Sequence, residues 1–144
     1  MTTSTGWFYW AALSAVFAAL TAIFAKVGIQ GVDSDLATLI RTAIIIVVLC
    51  AFVVLTGKWT NPMSLSPKTW VFLGLSGLAT GASWVCYFRA LKIGDASQVA
   101  PVDKFSLVLV ALFAFAFLGE RPSLREWSGI ALVASGVLVL AFKR

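Results

Sequence analysis

The sequence predicts an all-α membrane protein with five transmembrane helices. Three observations carry that prediction. Of the 144 residues, 60% are hydrophobic and only 12% charged, and the mean hydropathy is +0.97; a soluble domain is about half apolar and about a quarter charged. Five apolar stretches each reach the roughly 20 residues that cross a bilayer as a helix. The connections between them are short, which makes consecutive helices antiparallel neighbours and leaves no room for a soluble domain. The whole chain, 1–144, therefore reads as one transmembrane domain.

The first span covers residues 7–29 and is apolar except for Lys26 near its end. Gln30-Gly-Val-Asp-Ser-Asp makes the following turn, and Asp35 is placed to cap the second helix, residues 35–56, which carries Arg41 in its second turn. Residues 57–66 form the longest loop. Pro67 suits the first turn of the third helix, residues 67–91, because its missing N–H has no partner to lose there. The fourth span, residues 96–118, carries Pro101, Asp103 and Lys104 before its long apolar run. Pro122 or Ser123 opens the fifth, residues 123–142. Lys26-Val-Gly28 and Lys92-Ile-Gly94 recur at two turns, a faint sign of related hairpins.

Charge placement separates the candidate roles. The net charge of +5 could suggest nucleic acid, but the Lys and Arg residues stand at helix ends and form no stripe, which assigns most of them to membrane anchoring. Call the N-terminal side A. Lys26, Arg41, Arg89, Lys92, Lys143 and Arg144 lie toward side B, and Lys58, Lys68, Arg121 and Arg125 toward side A. The bias puts side B, and the C-terminus, in the cytoplasm. Trp7, Trp10, Trp59, Trp70 and Trp127 form an interfacial belt toward side A. MTTSTG lacks the basic start of a signal peptide, so the first apolar segment is read as retained. Cys50 and Cys86 sit within apolar helices as small packing residues, without metal-ligand spacing. The chain has no histidine, no nucleotide loop and no nucleophile-base pair, so neither an enzyme nor a cofactor is expected.

Ionisable residues inside a membrane are expensive and mark function or a structural ion pair. Arg41, Asp103 and Lys104 lie six to nine residues in from side B, roughly 9–14 Å deep at the helical rise. The sequence does not say which residue Asp103 pairs with; Arg41 and Arg89 are candidates. Lys26 and Arg89 are shallower and are expected to snorkel to the headgroups. Trp84 and Tyr87, with Phe88 beside them, are candidates to line a pathway, against the plainer reading of packing and lipid contact. Gly77 and Gly81 form a small-xxx-small pair, and Gly129 and Gly136 share a face seven residues apart; both sets suit close helix packing or a dimer contact.

The stretch Tyr87-Phe-Arg-Ala-Leu-Lys92, then Ala96-Ser97, Val99-Ala100-Pro101, Leu118-Gly-Glu-Arg121, Trp127 with Gly129, and Gly136-Val-Leu resembles the EamA-like transporters of the drug/metabolite transporter superfamily. The resemblance is firmest across residues 73–140. It implies half of a ten-helix transporter fold and a secondary transporter, assembled as a homodimer in parallel or antiparallel arrangement, in the cell's inner membrane. Asp103-Lys104 departs from the apolar pattern of that family, and the first span lacks the membrane glutamate that the small multidrug resistance proteins of the superfamily carry. Cations outnumber the acid at this depth, which favours an anionic or zwitterionic small-molecule substrate. The candidate substrate or ion pathway residues, read from their charge, depth and aromatic character and not from the resemblance, are Asp103, Lys104, Arg41, Trp84 and Tyr87. A non-transporting membrane accessory or scaffold subunit with a structural charge network is the alternative.

Overall fold

A computed structural model describes residues 6–142. The expectations about the start of MTTSTG, and about Lys143 and Arg144, lie outside the described residues. Within them every regular element is helical: α1 Gly6–Gly28, α2 Ser34–Leu55, a 3₁₀ turn Pro62–Ser64, α3 Pro67–Ile93, α4 Ala96–Asp103, α5 Ser106–Phe113, a π turn Ala114–Leu118, and α6 Leu124–Ala141. Five stretches are long and apolar enough to cross a membrane: Gly6–Gly28, Ser34–Leu55, Pro67–Ile93, Ala96–Leu118 and Leu124–Ala141. The protein is an all-α membrane protein with five transmembrane helices.

Local chemistry sets the helix ends. Asp33, not Asp35, caps α2: its carboxylate accepts from the backbone N–H groups of Asp35 and Leu36, at 2.9 and 3.1 Å. The reason is backbone conformation, since Asp33 is extended and Asp35 already helical. Asp35 is thereby freed for a different partner. Ser66 accepts from Thr69 N–H ahead of Pro67. Ser123 and Glu126 form a reciprocal capping box at the start of α6. Gly119 turns the chain between the fourth and fifth spans with φ +69°, a left-handed conformation that suits glycine at a helix C-terminus.

The fourth span is not the continuous helix that the sequence suggested. It breaks at Lys104–Phe105, between α4 and α5, and widens to a π turn at its end. Pro101 cannot donate to the carbonyl of Ser97, one turn earlier. The backbone responds by tightening: Lys104, Phe105, Leu107 and Val108 donate to the carbonyls three residues back, at 3.0 Å each. Such 3₁₀ stretches inside a helix mark hinges or strain.

The chain divides into two compact units, residues 1–93 and 94–144. In the first, α3 packs against α2 and α1. Its buried side chains are Ala22, Ala25 and Ile29, Ser34 and Thr38, and Phe88 and Leu91. They come from the end of α1, the start of α2 and the end of α3, so the three helices are knotted together at side B. Toward side A their side chains are mostly exposed, as suits lipid contact. Cys50 and Cys86 are free and exposed, so they do not pack a core within the chain. In the second unit α6 packs against α4 and α5. Ala114 and Val137 are buried there, and Phe115 meets Trp127 edge-on at 6.3 Å.

Candidate functional site

The side-B knot is tied by polar contacts between helices. Lys26 at the end of α1 donates to the Leu91 carbonyl in the last turn of α3 at 2.7 Å. A cation at a helix C-terminus meets the favourable end of the dipole. Lys92 donates to the Val32 carbonyl at 2.8 Å, holding the turn between α1 and α2. Arg89 forms a two-pronged pair with Asp35, its Nε at 2.9 Å and Nη2 at 2.6 Å from the two carboxylate oxygens. Both heads find acceptors on neighbouring helices, Lys26 at the Leu91 carbonyl and Arg89 at the Asp35 carboxylate. Arg89 is engaged within its own compact unit, by Asp35.

Arg41 lies two turns deeper on α2 and is held differently. Its guanidinium sits 4.3 Å from the centre of the Trp84 ring and 5.3 Å from that of Phe88. Nη1 is buried without a hydrogen-bond acceptor among the described residues. Trp84 and Phe88 are four residues apart on α3 and so share a face. That spacing was visible in the sequence and selects Phe88, buried at 3% exposure, as the second wall of the cradle. Tyr87 is half-buried and meets Phe88 edge-on at 6.4 Å. The structure thus sets Phe88 beside Trp84 against Arg41, and Tyr87 against Phe88.

Arg41 also lines a groove of about 530 Å³ along α1 and α2. Thr21, Phe24 and Ala25 contribute from α1, Ile40 and Ile44 from α2, and Phe88 from α3. Arg41 is the charged member of an otherwise mostly apolar lining. A second groove of about 600 Å³ follows α2 and α3, with Gly77, Gly81, Thr38, Thr42 and Asp35 in its wall.

Asp103 and Lys104 stand at the break in the fourth span, their charged atoms 3.4 Å apart. Asp103 is thus paired with its sequence neighbour. Asp103 belongs to the second compact unit and Arg41 to the first. A Cβ added at Gly77, Gly81, Gly129 or Gly136 would meet nothing within 4 Å in this chain.

The family model of the EamA-like transporter family matches residues 5–142. A protein of Sinorhizobium sp, described as an uncharacterized transporter in the cobO 3' region, is 58% identical over 138 residues, which is 96% of this chain and 98% of that protein. A Yersinia pestis (strain Pestoides F) protein is 31% identical over 85 residues, 58% of this chain and 75% of the relative. It is named a probable 4-amino-4-deoxy-L-arabinose-phosphoundecaprenol flippase subunit, ArnE. No solved structure matches the chain.

Proposed function

The chain belongs to the EamA-like transporter family, and on that premise we propose a secondary transporter that works as a homodimer and moves a small solute across the membrane. Residues 1–144 act in this reading as one functional domain of the inner membrane, with the C-terminus in the cytoplasm and lipid on the outer helix faces. The solute is anionic or zwitterionic, in keeping with the excess of cations near side B.

The observation that carries the reading is the interruption of the fourth span at Lys104–Phe105, directly after Pro101 and Asp103. Secondary transporters build substrate and ion sites on discontinuous helices, where backbone groups released from the helical ladder face a cavity. Asp103 and Lys104 pair across 3.4 Å as sequence neighbours. An entering ion or solute can part that pair, giving α4 and α5 two arrangements about the tightened turn. Arg41, with Trp84 and Tyr87, supplies solute contacts on the other compact unit. The second copy contacts the first through Gly129 and Gly136 on α6, where added bulk meets open space within one chain.

A second reading replaces the second copy with a different chain. The word subunit in the name of the Yersinia relative favours it. In its limiting form the chain is an accessory or scaffold subunit that carries nothing itself.

The test is flux of a broad solute panel into proteoliposomes holding the purified protein alone. Wild-type protein is expected to transport at least one anionic or zwitterionic solute. Asp103→Asn is expected to fold and associate normally while flux falls at least tenfold, and Asp103→Asn with Lys104→Gln is expected to stay inactive. Recovery of flux in the double variant reduces the pair to charge balance. Full flux in a well-folded Asp103→Asn protein removes Asp103 from the mechanism.

A further inference from the structure

We infer that the groove along α1 and α2 is a binding site for an anionic amphiphile, its charged head on Arg41 and its hydrocarbon chain laid along the two helices. The inference deepens the transport reading by naming a ligand class, but binding at this groove is measurable whether or not transport occurs.

The charge argument comes first. Arg41 carries a full positive charge inside a membrane-spanning helix, and its guanidinium lies against the faces of Trp84 and Phe88. Ring faces attract a cation through their quadrupoles but cannot accept the in-plane hydrogen bonds of a guanidinium. Nη1 is enclosed with no acceptor among the described residues. The contrast with Arg89 is sharp, since that arginine has both prongs on the Asp35 carboxylate. A planar fork with five donors matches a carboxylate or phosphate in two-pronged geometry, so the missing complement is an anion.

The shape argument selects what the anion is attached to. The groove that Arg41 lines holds about 530 Å³ and is walled by Phe24, Ala25, Ile40, Ile44 and Phe88. Phe24, Ile40 and Ile44 remain 68%, 49% and 60% exposed, so the groove is open along its length. Water-soluble anions gain little from such walls, whereas each buried methylene of a chain is stabilised by contact with them. Opening along helices that span the membrane gives access from the bilayer, where an amphiphile already resides. Head on Arg41 and tail along α1 and α2 satisfy both features at once.

The test uses the full chain in nanodiscs of zwitterionic lipid. Dodecyl phosphate bearing a diazirine in its chain is photocrosslinked and the adducts are mapped by peptide mass spectrometry. Adducts are expected on α1 and α2, around Phe24, Ile40 and Ile44. Adducts spread evenly over all five spans would overturn the inference. Equilibrium binding of unmodified dodecyl phosphate is then compared in wild type and Arg41→Gln. Affinity is expected to fall about tenfold or more, the loss attached to a charge-assisted hydrogen bond. Arg41→Lys, which keeps the charge without the fork, should recover part of it. Ile44→Trp, which fills the groove and leaves the charge, should weaken dodecyl phosphate by a similar factor. Inorganic phosphate is expected not to compete at millimolar concentration, and dodecyltrimethylammonium not to compete at all. Equal binding in folded Arg41→Gln, effective competition by the cationic amphiphile, or equal affinity for inorganic phosphate each refutes the assignment. Transport of soluble solutes without dodecyl phosphate binding refutes this inference and leaves the transport reading standing. Binding without transport does the reverse.

Discussion

Replacing Arg41 by methionine should leave folding stability nearly unchanged, although it removes a charged side chain packed on two aromatic rings. The magnitude follows from two opposing contributions. A cation over an aromatic face is worth about 0.5–1 kcal/mol when exposed and about 2 when desolvated, so Trp84 at 4.3 Å and Phe88 at 5.3 Å together stabilise by a few kcal/mol at most. Against this stands Nη1, buried without an acceptor, which costs about 1–3 kcal/mol, and an arginine within a membrane span, which insertion measurements put at about 2.5–3.5 kcal/mol at the helix centre. Methionine keeps much of the length and volume and carries none of these contributions. The expected change is therefore within about 2 kcal/mol, in either direction, by this balance. Phe88→Ala provides the scale, because Phe88 is 3% exposed and its truncation should cost about 3–5 kcal/mol. Both are measured by reversible unfolding in mixed micelles or by steric trapping in bicelles. If Arg41→Met loses as much as Phe88→Ala, Arg41 is a structural keystone and the argument for an unmet cation fails. If it does not, the arginine is retained for something that only a second molecule reveals.

Three further expectations follow from particular contacts. Gly136→Leu should leave the stability of the isolated chain unchanged, since a side chain there enters open space, yet lower dimer occupancy several-fold in single-molecule photobleaching; unaltered occupancy moves the interface elsewhere. Pro101→Ala should supply the N–H donor that the Ser97 carbonyl lacks and stabilise the fourth span by up to about 3 kcal/mol, while flux drops; amide exchange across residues 98–108 reports the first effect and proteoliposomes the second. Reporter fusions at the C-terminus, one active in each compartment, should give signal on the cytoplasmic side; equal signal from both would establish dual insertion and an antiparallel pair.

The sequence by itself determined the spans, because apolar length is a local property and the bilayer reads it directly. All five appear within a turn of the expected boundaries. It also determined that Arg41, Asp103 and Lys104 needed explanation, since a charge in an apolar run is visible without coordinates. Some details were legible only in part. The Trp84–Phe88 spacing puts two rings on one helix face, but the sequence does not say that Arg41 lies between them. Pro101 announced a disturbed helix, yet the apolar run beyond it suggested continuity. Tertiary structure alone decided the partners. Arg89 and Arg41 are chemically identical, and nothing in their flanking residues says that one would take a carboxylate and the other two aromatic faces. That outcome depends on where α2 and α3 meet: at their side-B ends Asp35 comes level with Arg89, and two turns along α2 the facing groups on α3 are rings. The same geometry brings Lys26 to the Leu91 carbonyl and Lys92 to the Val32 carbonyl. Pairing across helices is a property of their relative rotation and offset, and the order of residues along each helix does not contain it.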